Sequence, residues 1–191
     1  MPAQPLILRH TYTRRRATAR AALRYYQLRP RGEDEPPRAI FTKDGTLSRD
    51  EANRLLDEHQ AGRFLAHRLM LSPPADERPD DLRELTRYVM AELEKRRELD
   101  LHWVAVEHRN TAHPHVHIVL CGGADAPGAA DGARREVRLD RGDHRQIKDD
   151  GLAYCRLSAR LRDDWDRALA GAAADDRARE AAHADRGDRD R

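Results

Sequence analysis

The stretch His113-Pro114-His115-Val116-His117-Ile118-Val119-Leu120 decides how this chain folds. A strand throws successive side chains to opposite faces. His115 and His117 therefore share one face, while Val116 and Ile118 take the other. Packing explains two adjacent imidazoles on a sheet poorly, because strand cores favour Val, Ile and aromatics. A metal ion explains them well, imidazole being the commonest protein ligand. His108 ends the preceding strand-like run LHWVAVEH (101–108), and the residues from Arg109 to His113 are turn-prone. A hairpin with a loop of that length is ordinary. It folds His108 back toward His115 and His117 and gives a three-imidazole site with positions left open for substrate.

Outward from the hairpin, the chain alternates strands and helices. PLILRHTYT (5–13) reads as a strand, and the Ala-rich segment 14–29, free of Gly and Pro, as a helix. Pro30 and RGEDEPPR make a loop, RAIFT a short strand, and Asp44-Gly45 a turn. Ser48 followed by Glu51 is a capping box that opens a helix to about Glu58. RFLAHRLML (63–71) is a strand stopped by Ser72-Pro73-Pro74. After Pro79-Asp80-Asp81, Leu82, Leu85, Val89 and Leu93 form one face of a long helix. Beyond the hairpin, 122–133 reads as a small-residue loop and REVRLDR as a short strand. Residues 143–169 read as mostly helical, with Gly151 as a break. The fold class expected is α+β: an antiparallel β-sheet carrying the site on one face, with helices packed on the other. One domain is expected over 1–170. The tail, 171–191, has no large apolar residue to bury and is expected to be disordered or a frayed helix.

Composition narrows the classes. With 191 residues and 39% hydrophobic content, the chain supports a single core. Charge is dense at 37% but nearly balanced, at net +2. The balance hides a basic block: eight arginines (9, 14, 15, 16, 20, 24, 29 and 31) and no carboxylate precede Glu33. Such a block attracts polyanions. The two cysteines, Cys121 and Cys155, have no paired spacing, which argues against a disulfide scaffold and makes the cytoplasm the expected location. No apolar run approaches the roughly 20 residues that span a bilayer, so membrane insertion is not expected.

The string VEHRNTAHPHVHIVLCGG (106–123) resembles the histidine motif of the relaxases, strand-nicking endonucleases of plasmid mobilisation in the HUH superfamily. The nearer likeness is to the mobilisation and T-DNA border-nicking branch. Its motif, roughly H-x-D-x-x-x-P-H-x-H, puts His108, His115 and His117 on the metal-ligand positions. His113 falls at a variable place, expected to be second shell or solvent-facing. The run Ala21-Ala22-Leu23-Arg24-Tyr25-Tyr26-Gln27-Leu28-Arg29 is similar to the branch's tyrosine motif, with Tyr25 on the nucleophile and Tyr26 as the alternative. LMLSPP (69–74) echoes a strand ending in Ser-Pro in these enzymes. The chain departs from the pattern at Asn110, where the branch carries an acid. Asn110 can hydrogen-bond but cannot accept a proton, and Asp100, Glu107 and Asp140 are the candidate substitutes.

The resemblance implies an HUH-type nuclease domain and a site- and strand-specific nick in single-stranded DNA at an origin of transfer. It also implies a 5′-phosphotyrosine intermediate with a free 3′-hydroxyl, and Mg²⁺ or Mn²⁺ as cofactor; imidazole chemistry alone favours Zn²⁺, Ni²⁺ or Cu²⁺. Accessory mobilisation or coupling proteins are the expected partners. A phenol with a pKa of about 10 is a poor nucleophile until nearby cations stabilise its anion. Arg14, Arg15, Arg16, Arg20 and Arg24 are the expected DNA contacts, with Trp103 and Tyr12 as stacking platforms. Leu161 and Trp165, four apart, read as core, and both cysteines as small buried hydrophobes. The remaining histidines, His10, His59, His67, His102, His144 and His183, read as surface or satisfied residues. Two rival functions stand beside nicking: a metal-dependent phosphodiester hydrolase in which water attacks, and a non-catalytic nucleic-acid-binding module with a structural metal.

Overall fold

A computed structural model of the protein describes residues 4–29, 36–109, 111–128 and 133–189. Among these residues, seven antiparallel strands form one sheet. In chain order the elements are β1 (Ile7–Thr13), α1 (Arg16–Leu28), β2 (Ile40–Phe41), β3 (Thr46–Leu47), α2 (Arg49–Glu58) and β4 (Ala66–Ser72). They continue with α3 (Leu82–Arg97), β5 (Asp100–His108), β6 (His115–Asp125), β7 (Arg134–Glu136) and α4 (Arg141–Arg189). The strands lie in the order β1-β4-β6-β5-β2-β3, and β7 pairs with β6 at Gly123–Asp125, beyond the stretch that β4 covers. No helix among the described residues is long and apolar enough to cross a membrane.

The α+β class and the antiparallel sheet are as expected, and α3 and α4 pack on the face opposite the histidines. There Leu69, Leu71, Trp103, Ala105, Ile118 and Leu120 meet Leu85, Val89 and Ile147. The histidine face also carries helices. Val104, Val106, Val119 and Cys121 meet Ala19 and Leu23 of α1 and Ala52 and Leu56 of α2. The reason is in β5 and β6: both are apolar at consecutive positions, so both faces need cover.

Local signals set several boundaries. The capping box at α2 is complete: the Glu51 N–H donates to Ser48 Oγ at 3.2 Å, and the Ser48 N–H donates to Glu51 Oε2 at 2.7 Å. Ser48→Ala is expected to cost about 1 kcal/mol, a fall of about 2–4 °C in Tm for a chain of this size, measurable by thermal unfolding. Asp81 caps α3 by accepting from the N–H groups of Arg83 and Glu84. Residues 122–125, expected in a loop, continue β6 because β5 and β7 flank and pair with them. Gly151 does not break α4. It is buried where a Cβ would stand 2.6 Å from Leu6 Cδ1, so it lets the helix close onto β1.

Two expectations about aromatic residues are corrected. Trp103 is 1% exposed and packs edge-on against Phe41, so it is core rather than a stacking platform. Trp165 and Leu161, expected in the core, are 67% and 60% exposed. Past Cys155, no described residue of α4 is buried, so the helix has left the core there. Its backbone stays helical through the tail to Arg189. Cys121 and Cys155 are free and buried, as expected.

A second group of histidines ties β1, β4 and α4 together. His67 Nε2 lies 2.9 Å from the Val137 carbonyl oxygen, His10 Nε2 lies 3.0 Å from His67 Nδ1, and His144 Nε2 lies 2.8 Å from His10 Nδ1. Because the carbonyl can only accept, the His67 ring donates through Nε2 and accepts at Nδ1 from His10, which in turn accepts at Nδ1 from His144 Nε2. Burial and the neighbouring rings push His10 down to about 4. A histidine whose pKa is depressed on folding binds its proton more readily when unfolded, so its stability contribution is complete above pH 6.5 and lost as pH falls toward 4. The loss from His10 is on the order of 1 kcal/mol after solvent screening of a half-buried ring. Thermal unfolding of His10→Leu is expected to show a shallower fall in Tm between pH 6.5 and 4 than the unsubstituted chain.

Candidate metal and nucleic-acid site

The hairpin between β5 and β6 brings the three predicted imidazoles together. Its register sets His108 directly opposite His115, and Val106 opposite His117. Pairing residues share a face, so the three rings converge on the α1 side of the sheet. Their centroids lie 4.8–5.0 Å apart, and one nitrogen from each falls within 4.8 Å of the others. The Ser72 hydroxyl anchors the hairpin by donating to the Pro114 carbonyl at 3.0 Å. This gives the Ser-Pro strand end a local role.

The tautomers suit a cation. His115 Nδ1 donates to the His113 carbonyl at 2.8 Å, which leaves its Nε2 as an acceptor, 3.2 Å from His117 Nε2. His113 thus supports the site through its backbone, while its side chain is exposed. His108 Nε2 donates to the Tyr26 carbonyl at 2.7 Å. Its Nδ1 is buried and has no hydrogen-bond partner among the described residues. A buried acceptor without a donor is costly, and a metal ion removes that cost. Burial and the neighbouring histidines, with Arg29 and Arg38 adding their charges, push His108 down to about 4 and His117 to about 3. Burial lowers His115 as well. All three rings are therefore neutral near pH 7, the form that binds metals. The donor set fits a divalent ion.

The two tyrosines take different places. The Tyr26 ring stacks on His117, with centroids 3.9 Å apart and planes 2° from parallel. Burial raises its pKa, and the charge of the nearby Arg68 works against that rise. Tyr25 is 56% exposed, with its ring centroid 6.1 Å from that of Tyr26. It lies in a depression with Arg24 and Arg29. Arg29 also lines a groove of ≈ 390 Å³ that runs past His115, together with Arg9, Met70, Ser72 and Thr111. Arg38, reached by neither motif, is buried and donates to the carbonyls of Arg29 and Tyr26 at 2.9 and 3.4 Å. It thereby fixes the end of α1 against the histidines.

The five predicted arginines are all exposed but divide by position. Arg24 sits beside Tyr25. Arg20 pairs with Asp57, Arg16 donates to Gln60 Oε1 at 3.0 Å, and Arg14 lies over the rings of Tyr12 and Phe64. Arg15 precedes α1 as its N-cap residue. Arg9 and Arg29, which line the groove at His115, and Arg68, beside Tyr26, are not among the five; the basic block includes the first two, but only the fold aims them.

Asn110 lies outside the described residues. The candidate substitutes for an acid at its position do not face the imidazoles. Glu107 points to the opposite face of β5, where Arg109 at 2.5 Å and Arg83 at 3.4 Å hold it. Asp100 pairs with Lys43 at the far end of β5, and Asp140 caps the start of α4 by accepting from the Asp143 N–H at 3.0 Å.

Residues 43–122 match a family model described as relaxase, MobA/VirD2-like, nuclease domain. The match takes in the three histidines and ends before β6 does; α1, with Tyr25, lies outside it. No curated protein matches the chain. A solved structure described as the molecular basis of vancomycin resistance transfer in Staphylococcus aureus is similar in fold, with a TM-score of 0.51 and 10% identity. The likeness covers 84% of this chain and 94% of that one. Over residues 43–122 this chain is thus matched to the nuclease domain of the MobA/VirD2-like relaxases, the family that its histidine and tyrosine motifs resemble.

Proposed function

We propose that the protein nicks single-stranded DNA at an origin of transfer by tyrosine transesterification. The observation that carries this reading is the convergence of His108, His115 and His117 beside a helix end that bears Tyr25 and Tyr26. His108, His115 and His117 would hold a divalent cation, Mg²⁺ or Mn²⁺ in the cell, which when bound supplies Lewis-acid stabilisation to the scissile phosphate. Tyr25 is the nucleophile, because its hydroxyl-bearing ring is exposed to a strand. Tyr26 is a positioning residue that holds the His117 ring by stacking.

In the reaction, the Tyr25 oxygen bonds to phosphorus and the bond from phosphorus to the 3′ oxygen breaks. The phenol proton passes to solvent, and the departing 3′ oxygen takes up a proton. Phosphoester bond number is conserved, so the step reverses when the 3′-hydroxyl attacks the phosphotyrosine. Arg24 and Arg29 stabilise the phenolate and neutralise backbone phosphates. The groove with Arg9 and Arg29 takes the strand past His115.

The test is to incubate the protein and Mn²⁺ with end-labelled single-stranded DNA from its genetic neighbourhood and resolve the products on a denaturing gel. A label that migrates with protein supports transesterification. Cleavage without an adduct supports attack by water, and binding without cleavage supports a structural metal.

A further inference from the structure

A second cluster of metal-ligating side chains sits at the other end of the histidine face. His59 follows α2, His102 lies at the irregularity in β5, and Asp125 ends β6. One donor atom from each lies within 4.8 Å of the other two. The His59 and His102 ring centroids are 3.6 Å apart, and His102 Nε2 is 2.8 Å from Asp125 Oδ2. From this arrangement we infer that His59, His102 and Asp125 form a second metal site, selective for Zn²⁺, that fastens the end of α2 to the ends of β5 and β6.

The cluster is prepared for a cation in three ways. His59 Nδ1 donates to the Leu55 carbonyl at 3.0 Å, which fixes the tautomer and leaves Nε2 as the acceptor. The His59 carbonyl accepts from the Gly123 N–H at 3.1 Å, so this ligand is tied by its backbone to the strand that carries Asp125. Gly123 is where a Cβ would come within 2.9–3.0 Å of the 60–61 backbone, and its absence lets that segment approach. The Asp125 carboxylate is also shared: Oδ2 faces His102, while Oδ1 lies 3.5 Å from Arg134 Nε. Arg134 is the one cation against the cluster among the described ion pairs, and it also donates to the Glu58 carbonyl. It orients the carboxylate from behind, as outer partners of metal ligands do.

Two imidazoles and one carboxylate suit Zn²⁺ with an open fourth position, at bonds of about 2.0–2.2 Å. Binding requires the donors to close by side-chain rotation and the His102 ring to take its Nδ1–H tautomer, which frees Nε2, now turned toward Asp125, for the ion. Imidazole nitrogen ranks Zn²⁺ above Mg²⁺ and Mn²⁺ here, as it does at the first site. His102 and His108 lie six residues apart on β5, about 20 Å along a strand. That far exceeds the roughly 3.5–4 Å of a two-metal reaction centre, so the second ion plays no part in nicking and acts on stability.

The test is zinc stoichiometry, by equilibrium dialysis of metal-stripped protein and elemental analysis. The unsubstituted chain is expected to bind two zinc equivalents. The pair His115→Ala and His117→Ala is expected to keep one, Asp125→Asn or His102→Ala to lose one, and all substitutions together to bind none. In the His115→Ala, His117→Ala background, zinc at about a hundredfold above its Kd is expected to raise Tm by about 5 °C or more. Asp125→Asn removes that rise while leaving the circular dichroism unchanged. The inference is overturned if His115→Ala with His117→Ala binds no zinc, or if Asp125→Asn leaves the count unaltered. One equivalent in the unsubstituted chain, lost with Asp125→Asn, keeps this site and removes the first.

Discussion

Tyr25→Phe is expected to abolish the covalent protein–DNA adduct and to lower nicking by about 10³-fold or more, while Tyr26→Phe retains both. The two substitutions remove the same atom from adjacent residues, so the contrast isolates place from chemistry. Tyr25 presents its ring to solvent beside Arg24 and Arg29. Tyr26 lies flat on His117, and burial raises its pKa. A phenol that resists ionisation is a poor nucleophile, whereas a phenylalanine at position 26 still stacks. The measurement is adduct yield on a denaturing gel with Mn²⁺ and end-labelled single-stranded DNA, each variant checked for an unchanged Tm. Adduct formation by Tyr25→Phe, together with its loss in Tyr26→Phe, would transfer the nucleophile to Tyr26.

His117→Ala is expected to lower adduct yield by about 10³-fold, and chelation of the unsubstituted protein to do the same until Mn²⁺ is restored. Burial and the neighbouring rings push His117 down to about 3, and it touches both His115 and the Tyr26 ring. Its loss removes a ligand and the surface on which α1 rests. DNA binding itself is expected to survive, because Arg9, Arg24 and Arg29 are untouched. Retention of both substrate binding and nicking by His117→Ala would remove these histidines from the reaction. Loss of DNA binding together with nicking would mark the site as structural.

Some of this protein is settled by neighbours in the chain. Alternation over His115–Ile118 fixes which side chains share a face, because strand geometry has period two whatever surrounds it. The same holds for the capping box at Ser48, for the face of α3 and for the return of His108 across a short hairpin. The site's ligands were legible for this reason: their spacing is itself the mechanism that gathers them.

Other features depend on what lies across the sheet. Trp103, read from its strand as an exposed platform, is sealed in the core, and Trp165, read from its spacing as core, stands on a helix that has left it. The periodicity of a segment states which residues face together, not whether a surface awaits them. Tyr26 and Tyr25 are parted by the placement of α1 against β6, and His59, His102 and Asp125 meet only because α2 ends over the tips of β5 and β6. The sequence alone determined the strand pair, the helix starts and the three imidazoles, all of which rest on short-range geometry. The tertiary structure alone decided which tyrosine touches the histidines, which arginines line their groove and which distant residues form a second cluster, since each depends on contacts between segments far apart in the chain.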